Sequence, residues 1–303
     1  MLRPIHFIPA NTKIDFVAKR WWAFSLTMLL VIITIVALCV KGLNLGIDFK
    51  GGILLEVRAP QAVDIVALRG ALNSLNLGEI ELQQLGEPTD VLIRIQRQQG
   101  DDAAQMKVVQ IVLDKLGPTY ERRREDVVGP TVGTELLHAG ILATVLAMAA
   151  ISLYVGLRFE WQFGLAALIA TFHDVLTTVG LYAVLQLDFN LTAVAALLTL
   201  AGYSINDTVV VFDRIRETLR RQKATSLRDV INDAVNQTLS RTTMTAGTTL
   251  LALLPLVFMG GPTLINFSAA LTWGIVVGTY SSIYMAAALL LYMPPLRQIE
   301  TNK

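Results

Sequence analysis

Six stretches of this 303-residue chain are almost continuously apolar, and each is long enough to cross about 30 Å of hydrocarbon at about 1.5 Å per residue. The pattern predicts membrane helices over residues 22–40, 137–155, 163–185, 191–212, 243–259 and 267–292. Between the first two, the period changes. Ile53, Leu55 and Val57 alternate with Leu54, Glu56 and Arg58, as along a strand, and Ile65, Leu68, Leu72 and Leu75 then recur at helical spacing behind Asp64, a good N-cap. Residues 79–84 and 91–96 alternate again on either side of a Gly-Glu-Pro-Thr-Asp turn at 86–90. A helix over 103–116 follows, with Met106, Val109, Leu113 and Leu116 as its apolar stripe, and 120–128 reads as a last strand. The order β-α-β-β-α-β is that of a ferredoxin-like unit, which predicts no activity by itself. The expected fold is an α-helical polytopic membrane protein with six transmembrane helices and one small α+β, ferredoxin-like domain over 41–136. Tails at 1–21 and 293–303 and a polar connection at 213–241 complete the plan.

Composition supports a bilayer setting: 53% of residues are hydrophobic and 16% charged, more apolar than an ordinary soluble domain. Net charge is +1 and the basic residues are dispersed, so nucleic acid is not an expected partner. Cys39 is the only cysteine, which excludes an intramolecular disulfide. The first apolar segment is too long for a typical signal core and lacks a small-x-small cleavage site, so it reads as a retained anchor with Trp21 and Trp22 at the interface. The 213–241 connection carries Arg214, Arg216, Arg220, Arg221, Lys223, Arg228 and Arg241, whereas 186–190 and 260–265 carry no Lys or Arg. The positive-inside rule then makes both termini cytoplasmic and puts 41–136 outside. Within the basic connection, LRDVINDAVNQTL reads as an amphipathic helix lying on membrane lipids.

Polar residues inside the spans are the informative ones. Asn206 and Asp207 stand where a membrane helix favours leucine, and Asp207 lies about six residues, or about 9 Å, from the cytoplasmic end of its span. A carboxylate is too short to reach water over that distance, so it has to be protonated, paired or hydrated. Arg241 opens the fifth span, and Thr245, Thr248 and Thr249 continue its face inward. That arrangement predicts Arg241 on the cytoplasmic approach to Asp207, with threonine hydroxyls and water in between. His173 and Asp174 lie near mid-membrane, with Thr177 and Thr178 a turn further on. Two roles fit these groups, an ion-coupling site or polar stitching between helices. Gly274, Gly278 and Ser282 read as small-residue packing.

No phosphate-binding glycine loop, H-E-x-x-H helix or C-x-x-C pair is present, and His6, His138 and His173 are widely scattered. No catalytic residue, metal or cofactor is expected, and an ion gradient is the expected energy source.

The combination LNLGIDFKGGILLEV after the first span, VGPTVGTEL before the second, FHDV in the third, AGYSINDTVVVFDRIRE in the fourth and SRTTMTAGTTLLALL in the fifth resembles the SecF family of bacterial export proteins. The resemblance covers nearly the whole chain. It implies pairing with SecD in a twelve-span unit of the resistance-nodulation-division type, association with the SecYEG channel and YajC, and a functional link to SecA. It further implies that proton motive force helps to pull secretory preproteins across the bacterial inner membrane. In that family the fourth-span carboxylate and the arginine opening the fifth span form the proton pathway; by motif these are Asp207 and Arg241. The GIDFKGG signature, with Gly46, Asp48, Lys50, Gly51 and Gly52, reads as a structural turn. The alternatives are a half-transporter of lipids or small molecules and a passive scaffold of the translocon.

Overall fold

A computed structural model describes residues 12–78, 80–221 and 225–294, except for the side chains of residues 102, 130, 131 and 261–263. The expected features at His6, Glu79, Lys223 and residues 295–303 lie outside the described residues. A 3-10 turn at Val17–Lys19 leads into α1 (Arg20–Val40). The polar interval then holds α2 (Ile47–Lys50), β1 (Gly52–Arg58), α3 (Ile65–Asn73), β2 (Ile80–Leu85), β3 (Glu87–Ile95), α4 (Asp102–Leu116) and β4 (Glu121–Val128). Five long helices follow: α5 (Pro130–Arg158), α6 (Trp161–Leu185), α7 (Leu191–Arg221), α8 (Leu227–Met259) and α9 (Gly261–Tyr280). The last runs on through a π-helical stretch, Ser281–Ala286, to a final turn at Leu290–Tyr292. Among the described residues, six helices are long and apolar enough to cross a membrane.

The four strands form one sheet in the order β2-β3-β1-β4 with every pairing antiparallel. Ile53, Leu55, Val57, Val91, Ile93 and Ile95 point to one face and are buried beneath α3 and α4, each such side chain contributing about 1.5–3 kcal/mol. Asp64 caps α3, accepting from the amides of Val66 (2.8 Å) and Ala67 (3.2 Å). Two local expectations need correcting. Residues 87–90 extend β3, so that Gly86, at φ +66°, makes the reversal almost alone. On α4, Val109, Leu113 and Leu116 pack on the core as expected, joined by Val108 and Val112, whereas Met106 is exposed and Gln105, bonded to the Gln98 backbone, is buried in its place.

The larger correction concerns 213–241. It forms no separate helix on a membrane surface: α7 continues to Arg221, and LRDVINDAVNQTL is the first part of α8, in line with the span that follows. Its apolar residues Val230, Ile231, Ala234 and Val235 are buried by Phe16, Val17, Phe212 and Ile215. Protein therefore occupies the face that would otherwise lie on lipid. The chain before α1 is tied to the same helix, since Asn236 exchanges bonds with the Ile14 backbone (2.9 and 2.8 Å) and Asn232 accepts from Val17 (3.0 Å). Asp15 accepts from Ala18, Asn232 and Arg228, and these bonds, the Ala18 amide foremost, hold its carboxyl below the usual range.

Candidate functional site

Asp207 sits midway along α7 and is buried. Thr245 of α8 donates to its Oδ1 at 3.4 Å, while Oδ2 is buried without a partner among the described residues. Arg241, one turn before Thr245, is exposed and forms no ion pair with Asp207 among the described residues. Asn206 faces outward rather than toward Asp207, and Thr248 is exposed too, its hydroxyl turned back on its own helix. The structure thus joins Asp207 with Thr245 and leaves Asn206, Thr248 and Arg241 on an open face. Along α7 that face continues through Ala195, Thr199 and Gly202, and open space surrounds both Gly202 and Gly247.

His173 and Asp174 occupy a second, wholly interior position. Asp174 Oδ1 lies 3.0 Å from His173 Nδ1, and its Oδ2 accepts from Ser204 (2.5 Å) and Ser281 (2.8 Å). Thr177 and Thr178 bond back to the Asp174 carbonyl. Ser282 and Thr208 hydroxyls meet at 2.8 Å, next to Asp207. Ser204, Thr208 and Ser281 were not anticipated from sequence. The only signal for the first two is their placement three residues before and one after Asp207; Ser281 carries none.

The GIDFKGG stretch lies where the α/β domain meets the α6–α7 connection. Its main-chain bonds run from Gly46 N to Phe189 O and from Phe189 N to Asn44 O (both 2.8 Å), while Asp48 accepts from the Leu191 amide at the start of α7 (2.9 Å). Gly51 (φ +73°) and Gly52 (φ +139°) adopt backbone angles that favour glycine, and a Cβ on Gly52 would lie 2.8 Å from Ile95 O. Lys50 is exposed. Beside this stretch Arg94, on the sheet face away from α3 and α4, grips Asp188 with both guanidinium amines, Nη1 to Oδ1 at 2.8 Å and Nη2 to Oδ2. Burial opposes the Arg94 charge, but Asp188 outweighs it and the guanidinium is held above its ordinary value.

The family described as "Protein export membrane protein SecD/SecF, C-terminal" matches residues 108–295, and the SecD/SecF GG motif matches residues 36–63. The chain belongs to the SecD/SecF family. It is 42% identical over 304 residues to the protein translocase subunit SecF of Rhodobacter capsulatus, covering 95% of this chain and 91% of the relative. With its Magnetococcus marinus counterpart it shares 46% over 289 residues, covering 94% and 93%. The crystal structure of SecDF from Thermus thermophilus, a translocon-associated membrane protein, superposes with a TM-score of 0.83 at 35% identity over 95% of this chain. SecDF in a super-membrane-facing form superposes with 0.70 at 34% identity. The chain spans about two-fifths of those SecDF chains, 39% and 40%. It is thus a multi-pass membrane protein of the SecD/SecF family, with six apolar helices and one four-stranded domain.

Proposed function

We propose that this chain is a SecF-type subunit of the protein-export translocase, which pairs with a SecD-type partner and couples proton flow at Asp207 to movement of its α/β domain. The observation that carries this is the Asp207 carboxylate, buried between α7 and α8 with Oδ2 unpartnered and a threonine hydroxyl as its one hydrogen-bond donor among the described residues. Such a group changes the packing of two helices when its charge changes, and a bound proton shifts that equilibrium by its differential affinity for the two packings. The partner covers the open, small and polar face of α7 and α8, where Asn206, Thr248 and Arg241 become interior. In the assembled unit Arg241 lies across Thr245 from Asp207 and sets its charge.

Motion reaches the α/β domain through α7. The first amide of this helix is held by Asp48, and the connection preceding it is held by Arg94 and by the Gly46–Phe189 bridge. Both chain ends lie in the cytoplasm and the domain lies outside, in the periplasm, on the basic-residue asymmetry. There the domain receives preproteins leaving a SecYEG channel after SecA-driven insertion, with YajC as a further associate. One proton crossing 100 mV provides about 2.3 kcal/mol, enough to bias a domain swing and too little to unfold a stable passenger.

The test is the pulse-labelled export rate of a secretory precursor in cells lacking their own copy, complemented with the chain or with Asp207→Asn. An assembled variant that exports as slowly as empty-vector cells supports ion coupling. Export at the unsubstituted rate makes the carboxyl a packing group and the chain a scaffold.

A further inference from the structure

The His173–Asp174 cluster has no part in the site just described, and its chemistry is more specific than polar stitching. Asp174 is fully buried, and three polar groups meet its two oxygens: the Ser204 and Ser281 hydroxyls at Oδ2, with the Ser281 hydroxyl also 3.1 Å from Gly278 O, and His173 Nδ1 at Oδ1. As a carboxylate Asp174 can accept from all three, with His173 donating through Nδ1. In that arrangement the imidazole hydrogen sits on Nδ1 and Nε2 is left as a basic lone pair. Nε2 is buried and has no partner among the described residues. A buried, unpaired basic nitrogen costs free energy, and its retention calls for an explanation in function.

We infer that His173 Nε2 is a second proton-binding site inside the membrane region, held in place by Asp174 and by the Ser204 and Ser281 hydroxyls. This deepens the proposed ion coupling and rests on it only for the proton's route. The step is minimal. The Nε2 lone pair takes one proton that originates in the aqueous phase on one side, an N–H bond forms, and the imidazolium charge is balanced by Asp174. The proton leaves to the opposite side, and no other bond is made or broken.

Three further features support the assignment. Ser281 and Ser282 open the π-helical stretch, and π turns inside helices occur frequently at functional sites. That stretch places two consecutive serines inward, one on Asp174 and the other on Thr208. Ser204, Asp207 and Thr208 share one face of α7 at spacings of three and four residues, so a continuous polar seam joins the second site to the first. Gly278 leaves room beside the carboxylate, as a Cβ there would touch Asp174 Oδ2 at 3.4 Å.

Few other titratable groups adjoin the pair. From α7 there are Asp207, one turn beyond Ser204, and Tyr203, bonded to Thr249; from α9 there is Tyr280, bonded to Ala23 and Thr27, and from the π-helical stretch Tyr284, stacked on Tyr280. Helix α1 carries no charged residue between Trp21 and Val40, and α5 carries Glu135, His138, Tyr154 and Arg158 only toward its ends. On the final turn, Tyr292 is bonded to Arg20.

The chain has three histidines, so imidazole nitrogen-15 NMR of the full chain in liposomes, compared with His173→Gln, isolates the His173 signals. The expected result is Nδ1 protonated throughout and Nε2 gaining its proton as pH is lowered from about 9 to about 5. Asp174→Asn should lose the single-tautomer pattern, with a bare Nδ1 appearing, because the carboxylate that holds the Nδ1 hydrogen is lost. Should Asp174→Asn fail to fold, Ser281→Ala is the second variant: it keeps the carboxylate, and Nε2 should still titrate. Nε2 unchanged across the range, or Nδ1 found bare, in the unsubstituted chain overturns the assignment. Failure here with Asp207→Asn still slowing export removes the second site and leaves coupling at Asp207. Normal export by Asp207→Asn removes that coupling, and the NMR titration still decides the chemistry of His173.

Discussion

Replacing Asp188 with alanine tests how the α/β domain is fastened to the helices. Its carboxylate receives two bonds from Arg94 and one from Asn44 (3.1 Å). Both members of the ion pair are mostly buried, with side-chain exposures of 19% and 13%, so solvent screens them little. Hydrogen bonds to charged groups contribute about 1.5–3 kcal/mol each. Glu81, 3.6 Å from Arg94, recovers part of the loss, which leaves about 2–3 kcal/mol for the contact as a whole. That corresponds to roughly a 30- to 140-fold increase in opening. The bonds that report it are the Gly46 and Phe189 amides, whose partners lie across the same junction. Hydrogen exchange of the peptides covering 44–50 and 186–191, measured on the full chain, should accelerate by that factor in Asp188→Ala, while exchange within β1 and β3 stays as it was. Unchanged exchange at the junction would refute the assignment of Arg94–Asp188 as a fastening.

Other consequences follow from single contacts. Gly180→Ala puts a Cβ 2.1 Å from Thr34 Oγ1 and should destabilise the α1–α6 packing by about 1–3 kcal/mol, seen as a lower thermal midpoint that Thr34→Ala partly restores. Asp90 is held below the usual carboxylate range by its bonds to Arg58 (2.5 and 2.6 Å). The stability it lends is therefore present above about pH 3.9, its unfolded value, and is lost as pH falls through the lower folded value. Asp90→Asn should lower domain stability at neutral pH and flatten its decline in acid, as read by pH-dependent hydrogen exchange of β3. Asn236→Ala removes the bonds to the Ile14 backbone and should expose the segment before α1 to protease while leaving the α/β domain protected.

Six apolar runs and the two periods between them carried the architecture, because a hydrophobic span and an alternating strand are local properties of the chain. What the pattern misplaced was decided by long-range contact. The helix assigned to a lipid surface is instead covered by Phe16, Phe212 and neighbours brought from elsewhere. The same division holds at the site. Asp207 and Thr245 are recognisable as polar residues at helical spacing from Arg241, and the structure brings them together. Asn206 looks equivalent in sequence, yet 100° of helical rotation turns it outward. Ser281 acquires its place only through the π-helical stretch, and Arg94 and Asp188 only through sheet register and domain docking.

Ion coupling at Asp207 is most directly tested by the dependence of late translocation on an imposed proton gradient. Membrane vesicles carrying the chain and its partner would be loaded with a precursor stalled part-way after its ATP-driven insertion, and its completion followed with and without the gradient. The account predicts that the gradient speeds completion with the unsubstituted chain and has no effect with Asp207→Asn at equal assembly. An equal response from both would contradict it.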